Sequence, residues 1–292
     1  MLTVPDRGES FLRDTGGSGP AVLLVHGWMF PSDLNWLRVY GPLEQAGYRV
    51  LAMDLRGHGR GLRSTARFRL EDCADDAAAV LAAVGVDSAL VIGYSMGGPV
   101  TQLMARRHPE LVDGFVLCAT ALDWQDPRQK VFWHAMAGLR LVLGLFPLGS
   151  WRAMVRVSGG TPQQSSWVAA ELSRGSARDL AEAGRELSRW DSNDWVGDLP
   201  QPAAVVVTTR DRLVPPAKQE ALAAALGVHP QRVEADHDAC ATAPRELVRA
   251  LLEALGQVRG VAAAPSAPDA YAPGLDLPPR MSTMDSRRTA RT

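Results

Sequence analysis

Five short apolar runs constrain this chain more than any other feature. They are residues 21–25 (Ala-Val-Leu-Leu-Val), 49–53 (Arg-Val-Leu-Ala-Met), 89–92 (Ala-Leu-Val-Ile), 114–117 (Gly-Phe-Val-Leu) and 203–207 (Ala-Ala-Val-Val-Val). Each is continuous rather than alternating, which is the pattern of strands covered on both faces. A weaker sixth run is residues 232–235 (Arg-Val-Glu-Ala). Helical patterns separate them. Residues 71–84 are Ala-rich and free of Gly and Pro, 98–107 stop at His108-Pro109, 217–226 follow Pro215-Pro216, and 245–255 carry Pro244 in the first turn. Strands that alternate with helices of this length predict an α/β fold: a mostly parallel central sheet with helices on both faces. Residues 2–4 and 10–13 are expected to add an antiparallel edge hairpin.

The chain has 292 residues, with 31 Lys and Arg against 32 Asp and Glu. That balance argues against a nucleic-acid partner, which needs a concentrated basic face. Three cysteines, Cys73, Cys118 and Cys240, form no short-spaced metal or redox pattern, so a reducing, cytoplasmic compartment is expected. The first residues lack the basic-then-apolar order of a signal peptide. The most apolar stretch, residues 131–146, is broken by His134 and Arg140 and is shorter than the roughly 20 residues of a bilayer span. The oligomeric state is not written in the sequence.

The strand–helix alternation breaks between residues 123 and 197. Six of the eight tryptophans fall there: Trp124, Trp133, Trp151, Trp167, Trp190 and Trp195. The segment reads as helices at 127–144, 149–157 and 164–190, inserted after the fourth apolar run as a cap over the sheet's C-terminal edge. Ordinary packing helices are the plainer alternative. Residues 1–122 and 198–256 then form the core. Residues 257–292, rich in Ala and Pro and ending with Arg280, Arg287, Arg288 and Arg291, read as a disordered tail.

Gly93-Tyr94-Ser95-Met96-Gly97 joins an apolar run directly to a helical one. That context marks a nucleophile elbow, in which Ser95 sits on a tight, strained turn. A serine hydroxyl needs a base to act as a nucleophile and N–H donors for the oxyanion it creates. The Met96 N–H at the start of the following helix is one expected donor. The second is the N–H of Trp28, in His26-Gly27-Trp28 after the first central run, and the Trp28 indole is expected to line the acyl pocket. His26 is expected to brace this loop.

Asp211 follows the fifth run and is expected to orient the base, ahead of Asp123 and Asp126. His237, in Asp236-His237-Asp238, follows the sixth and is the expected base. His58, His108, His134 and His229 follow no late strand. Asp236 and Asp238 are each able to raise the pKa of His237 or compete for its hydrogen bond. A metal site is not expected, because no third ligand stands at a diagnostic spacing. The Gly-rich loop Asp54-Leu55-Arg56-Gly57-His58-Gly59 matches neither a P-loop nor a dinucleotide fingerprint. Asp54, Arg56 and His58 are expected to knit it to the rim.

These segments, in this order, resemble the α/β-hydrolase family in its small, cap-bearing, esterase-like and lipase-like branch. The resemblance runs from about residue 10 to residue 255. It is carried by His26-Gly27-Trp28, Asp54-Leu55-Arg56-Gly57-His58-Gly59, Gly93-Tyr94-Ser95-Met96-Gly97-Gly98, Asp211 and His237. Asp236 stands where the family often has Gly. The resemblance implies an acyl-enzyme on Ser95, with no metal or organic cofactor. Ser95 sets the chain apart from the branch with an aspartate nucleophile, the epoxide hydrolases and haloalkane dehalogenases. The expected substrate is a small ester with an apolar acyl or aromatic part, held by Trp28, Trp124, Trp133, Leu139, Leu143 and Phe146. Acyl transfer, C–C bond hydrolysis on the same triad, and a non-catalytic binding role are the competing readings.

Overall fold

The structure is a computed structural model that describes residues 1–125, 136–157 and 162–260. Each apolar run becomes a strand. Strand β1 (Leu2–Val4) pairs with β2 (Gly8–Ser10) as a separate hairpin. The main sheet is built from β3 (Leu12–Asp14), β4 (Ala21–Val25), β5 (Arg49–Met53), β6 (Ala89–Tyr94), β7 (Val112–Cys118), β8 (Ala203–Thr208) and β9 (Gln231–Val233). Their order across the sheet is β3-β5-β4-β6-β7-β8-β9, and all neighbours are parallel except β3 against β5. The N-terminal expectation is corrected here. The hairpin partner of Leu2–Val4 is Gly8–Ser10, and residues 12–14 leave it to pair with β5.

Residues along each strand point alternately to two cores. Leu23, Val25 and Val91 face one side with the helices Leu70–Ala83, Gly97–Arg107 and Pro216–Ala225. Val22, Leu24, Leu90 and Ile92 face the other, with the helices Ser32–Trp36 and Pro244–Arg259. Both faces are dry, which is why the strands show no polar alternation. The helix Pro244–Arg259 runs past residue 256 and ends at Gly260, whose positive φ of 62° closes it. The remainder of the expected tail lies outside the described residues.

Between β7 and β8 the chain forms the helices Met136–Leu145, Pro147–Val157, Pro162–Ser173 and Ala177–Leu187. This is the helical insertion expected from the break in alternation. It has its own small core of Leu143, Trp151, Val155, Val168, Leu172 and Leu180, which continues onto Leu34, Met29 and Phe30 of the core domain. Polar contacts add to this seam. Ser176 N–H donates to Gly57 O at 2.7 Å, Phe68 N–H donates to Glu182 at 2.8 Å, and Arg63 reaches Arg174 O at 2.7 Å. Cys73, Cys118 and Cys240 are free thiols.

Candidate active site

In a parallel sheet every strand delivers its following loop to the same rim. Strands β4 and β6 lie side by side, while the chain continues from β4 to β5 on the opposite flank. The crevice at this switch is where Gly27 and Ser95 meet.

Ser95 follows β6 with φ of +53°, a left-handed conformation that costs a residue with a Cβ about 1–2 kcal/mol. The turn closes only because its flanks are bare. A Cβ on Gly93 would strike the Gly97 carbonyl and Thr101 Oγ1, and one on Gly97 would strike the Val25 carbonyl. Ser95 N–H donates to Cys118 O at 2.9 Å, which ties the turn to β7. The helix Gly97–Arg107 starts at Met96 with no side-chain cap, so its N-terminal N–H groups lie beside Ser95.

The three expected side chains meet. His237 Nδ1 donates to Asp211 Oδ2 at 2.8 Å, and His237 Nε2 lies 2.9 Å from Ser95 Oγ. A carboxylate only accepts, so Nδ1 carries the proton in the neutral ring. Nε2 is then the acceptor, and the Ser95 hydroxyl donates to it. Asp211 is buried and strongly held. Thr208 Oγ1 and Gln219 Nε2 donate to Oδ2 at 2.8 and 3.1 Å, while the N–H groups of Leu213 and Val214 donate to Oδ1 at 2.9 and 2.8 Å. The alternative acid Asp123 pairs with Lys218 at 2.8 Å. Asp126 lies outside the described residues.

The other loops brace the rim. Leu55 N–H donates to His26 Nε2 at 2.8 Å, and Nδ1 of His26 donates to Gly27 O at 2.7 Å. Burial lowers the pKa of His26 to about 4 and that of His58, whose ring lies 5.3 Å away, to about 3. Both are therefore neutral structural rings at pH 7. Asp54 accepts from the N–H groups of Ser32 and Arg60, each at 2.8 Å, and Arg56 grips Asp76 with two nitrogens. Gly27 N–H donates to Asn35 Oδ1 at 2.9 Å, which fixes the bend that carries Trp28.

The expected pocket residues divide. The half-buried Trp28 donates its indole N–H to Leu180 O at 2.8 Å, joining its loop to the insertion. Leu143 belongs to the insertion's core. Trp124 is packed into the main core with Leu122 and Trp190. Phe146 is 67% exposed and turns outward. Trp133 and the Leu139 side chain lie outside the described residues.

Sequence reasoning missed Thr208, Gln219, Asn35 and the phenol of Tyr94, which donates to His237 O at 2.6 Å. Gln219 carried a faint signal, as a polar residue in an Ala-rich helix that follows the acid loop.

The geometry has counterparts among known proteins. A non-heme haloperoxidase from Rhodococcus erythropolis is 38% identical over 108 residues, 37% of this chain and 39% of the relative. Epoxide hydrolase B from Mycobacterium tuberculosis is 38% identical over 101 residues, 34% of this chain and 28% of the relative. The chain thus spans well under half the length of these curated relatives. A solved structure of a thermophilic esterase from Thermogutta terrifontis superposes with a TM-score of 0.72 at 25% identity, covering 88% of this chain and 97% of the esterase. The family described as alpha/beta hydrolase fold matches residues 20–243, from the strand before the His26 loop to a point beyond His237. With that match and the β4–β6 crevice in place, the chain belongs to the α/β-hydrolase family.

Proposed function

We propose that this protein is a serine hydrolase that cleaves small carboxylic esters with an apolar acyl or aromatic part, through an acyl-enzyme on Ser95. The observation that carries the reading is the unbroken relay from Ser95 Oγ to His237 Nε2 at 2.9 Å and from His237 Nδ1 to Asp211 at 2.8 Å.

As Ser95 Oγ bonds to the ester carbonyl carbon, its proton passes to His237 Nε2 and the carbonyl electron pair moves onto oxygen. Asp211 holds the resulting imidazolium in place. The oxyanion is held by the N–H groups of Met96, at the start of the helix after the elbow, and of Trp28, which follows the Gly27 that packs beside Ser95. His237 then protonates the leaving alkoxide as the C–O bond breaks, and the alcohol departs. Water repeats the sequence: its proton goes to His237, its oxygen bonds to the acyl carbon, and Ser95 takes the proton back as the acid leaves.

The acyl preference is supported by the apolar seam between insertion and rim, where Met29 and Phe30 are only partly buried against the insertion's core. Pockets are mostly apolar walls with few polar guides. An esterase and a haloperoxidase among the similar proteins fit a triad hydrolase.

The test is a panel of p-nitrophenyl esters of increasing acyl length on the wild type and Ser95→Ala. Turnover by the wild type with a loss on the order of 10⁴-fold or more in Ser95→Ala is expected. Activity that falls away beyond acetyl would overturn the apolar preference. A wild type inert across the panel, yet labelled by a fluorophosphonate at Ser95, would move the reaction to amide or C–C substrates. Product analysis with an added alcohol separates hydrolysis from acyl transfer.

A further inference from the structure

The outward side of the insertion is apolar and exposed. Among the described residues seven large apolar side chains are exposed, and five of them, Leu141, Val142, Leu145, Phe146 and Leu148, lie within eight positions. They span the end of the helix Met136–Leu145 and the start of Pro147–Val157. These five are not needed to hold the insertion together. Leu143, Trp151 and Val155, from the same two helices, already fill its core against Val168, Leu172 and Leu180. Scattered exposed apolar residues need no explanation, but a contiguous cluster marks a contact surface.

Charge points to the occupant. Residues 127–170 contain Arg128, Lys130, Arg140, Arg152 and Arg156 and no Asp or Glu, in a chain with 32 acidic residues. Arg152 and Arg140 are exposed on the same two helices as the apolar cluster, and Arg140 also lies within electrostatic reach of Glu182. A second copy of this chain fits poorly, because a two-fold contact would bring the same cationic segments against each other. A nucleic acid offers nothing to Leu145 or Phe146. Apolar side chains flanked by arginines match an anionic lipid surface, with hydrocarbon below the headgroups and negative charge at them. Among the described residues no helix is long and apolar enough to cross a membrane, so the contact is peripheral.

We propose that the face formed by Leu141, Val142, Leu145, Phe146 and Leu148, with Arg140 and Arg152, docks this protein on anionic lipid bilayers. The proposal is independent of the reaction at Ser95. It is tested on the full chain without substrate, by co-sedimentation with vesicles of phosphatidylcholine alone or with 30 mol % phosphatidylglycerol (roughly the negative surface such a contact needs). Partition is expected to be at least about tenfold stronger on the anionic vesicles and to weaken as salt rises. Arg140→Gln with Arg152→Gln is expected to weaken it by about fivefold per arginine. The double variant Leu141→Glu, Leu145→Glu is expected to abolish pelleting. Leu145→Ser, a milder change checked for folding by circular dichroism, is expected to weaken it roughly tenfold. Equal partition on both vesicle types, no pelleting, or pelleting untouched by folded Leu145→Ser would overturn the proposal. So would a concentration-dependent dimer that Leu145→Ser disperses, which would assign the face to a second copy.

Discussion

Asp236 spans the loops of the acid and the base by holding Arg212. Its Oδ2 accepts from Arg212 Nε at 2.6 Å, and its Oδ1 accepts from Arg212 N–H at 3.0 Å and from His237 N–H at 2.8 Å. Arg212 follows Asp211 directly, so one carboxylate fixes the backbone of both relay partners. The sequence left open whether Asp236 competes for the imidazole, and in the fold that hydrogen bond goes to Asp211.

Asp236→Ala is therefore expected to lower kcat by about tenfold to a hundredfold, the cost of a displacement near 1 Å at a reacting group, with little change in KM. Steady-state kinetics on the best ester of the panel checks this. A rise in KM at constant kcat would show that Asp236 serves binding instead.

Tyr94 acts on the same loop from below. Its hydroxyl donates to His237 O at 2.6 Å from a site 3% exposed. Burial pushes the phenol well above its usual pKa, so it remains a donor across the working pH range. Tyr94→Phe leaves that carbonyl without this donor and is expected to cost about 1–3 kcal/mol in urea unfolding. As Tyr94 is a positioning residue, kcat should fall several-fold while KM stays. Unchanged kcat with lower stability would reduce Tyr94 to packing.

The strain at Ser95 has its own signature. Glycine occupies φ of +53° freely, whereas alanine carries the same Cβ penalty as serine. Ser95→Gly and Ser95→Ala should both be inactive, but Ser95→Gly should be the more stable by about 1 kcal/mol. Equal unfolding midpoints would mean that the turn stores no strain.

Acid should destabilise the fold through His26 and His58. Their folded pKa values, about 4 and about 3, lie below the ordinary 6.5, so the unfolded chain binds more protons between those limits. Their stabilising contribution is complete above pH 6.5 and is lost as pH falls toward 4. Each histidine contributes a slope of up to about 1.4 kcal/mol per pH unit. Asp54 and Asp179, whose pKa values are raised by burial, work in the opposite sense and temper the loss. Urea unfolding at pH 7 and pH 5 checks this, with roughly 2–4 kcal/mol less stability expected at pH 5. His58→Phe, which removes one of the two rings, should reduce the loss.

The meeting of Ser95, His237 and Asp211 was legible because each follows a recognisable strand, and a parallel sheet sends those ends to one rim. Its supports were not. Thr208 and Gln219 hold Asp211 through bonds whose partners are 3 and 8 residues away along the chain, and polar residues at such spacings are common in any sequence. The helix Ser32–Trp36 is too short for periodicity to appear, although it supplies Asn35 to the Trp28 loop. In the insertion nearly every position of Met136–Leu145 is apolar, so the pattern did not separate the buried Leu143 from the exposed Leu141 and Leu145.

The sequence by itself determined the α/β architecture and which serine, histidine and aspartate meet at the rim, because β-strand runs and the glycines of a tight elbow are local demands on local residues. Only the tertiary structure decided which polar groups hold Asp211 and His237 in register, that Trp28 reaches Leu180, and that Phe146 faces outward. Those outcomes depend on how separate elements approach one another in space, and a side chain's partner across such an approach is set by packing that no single segment encodes.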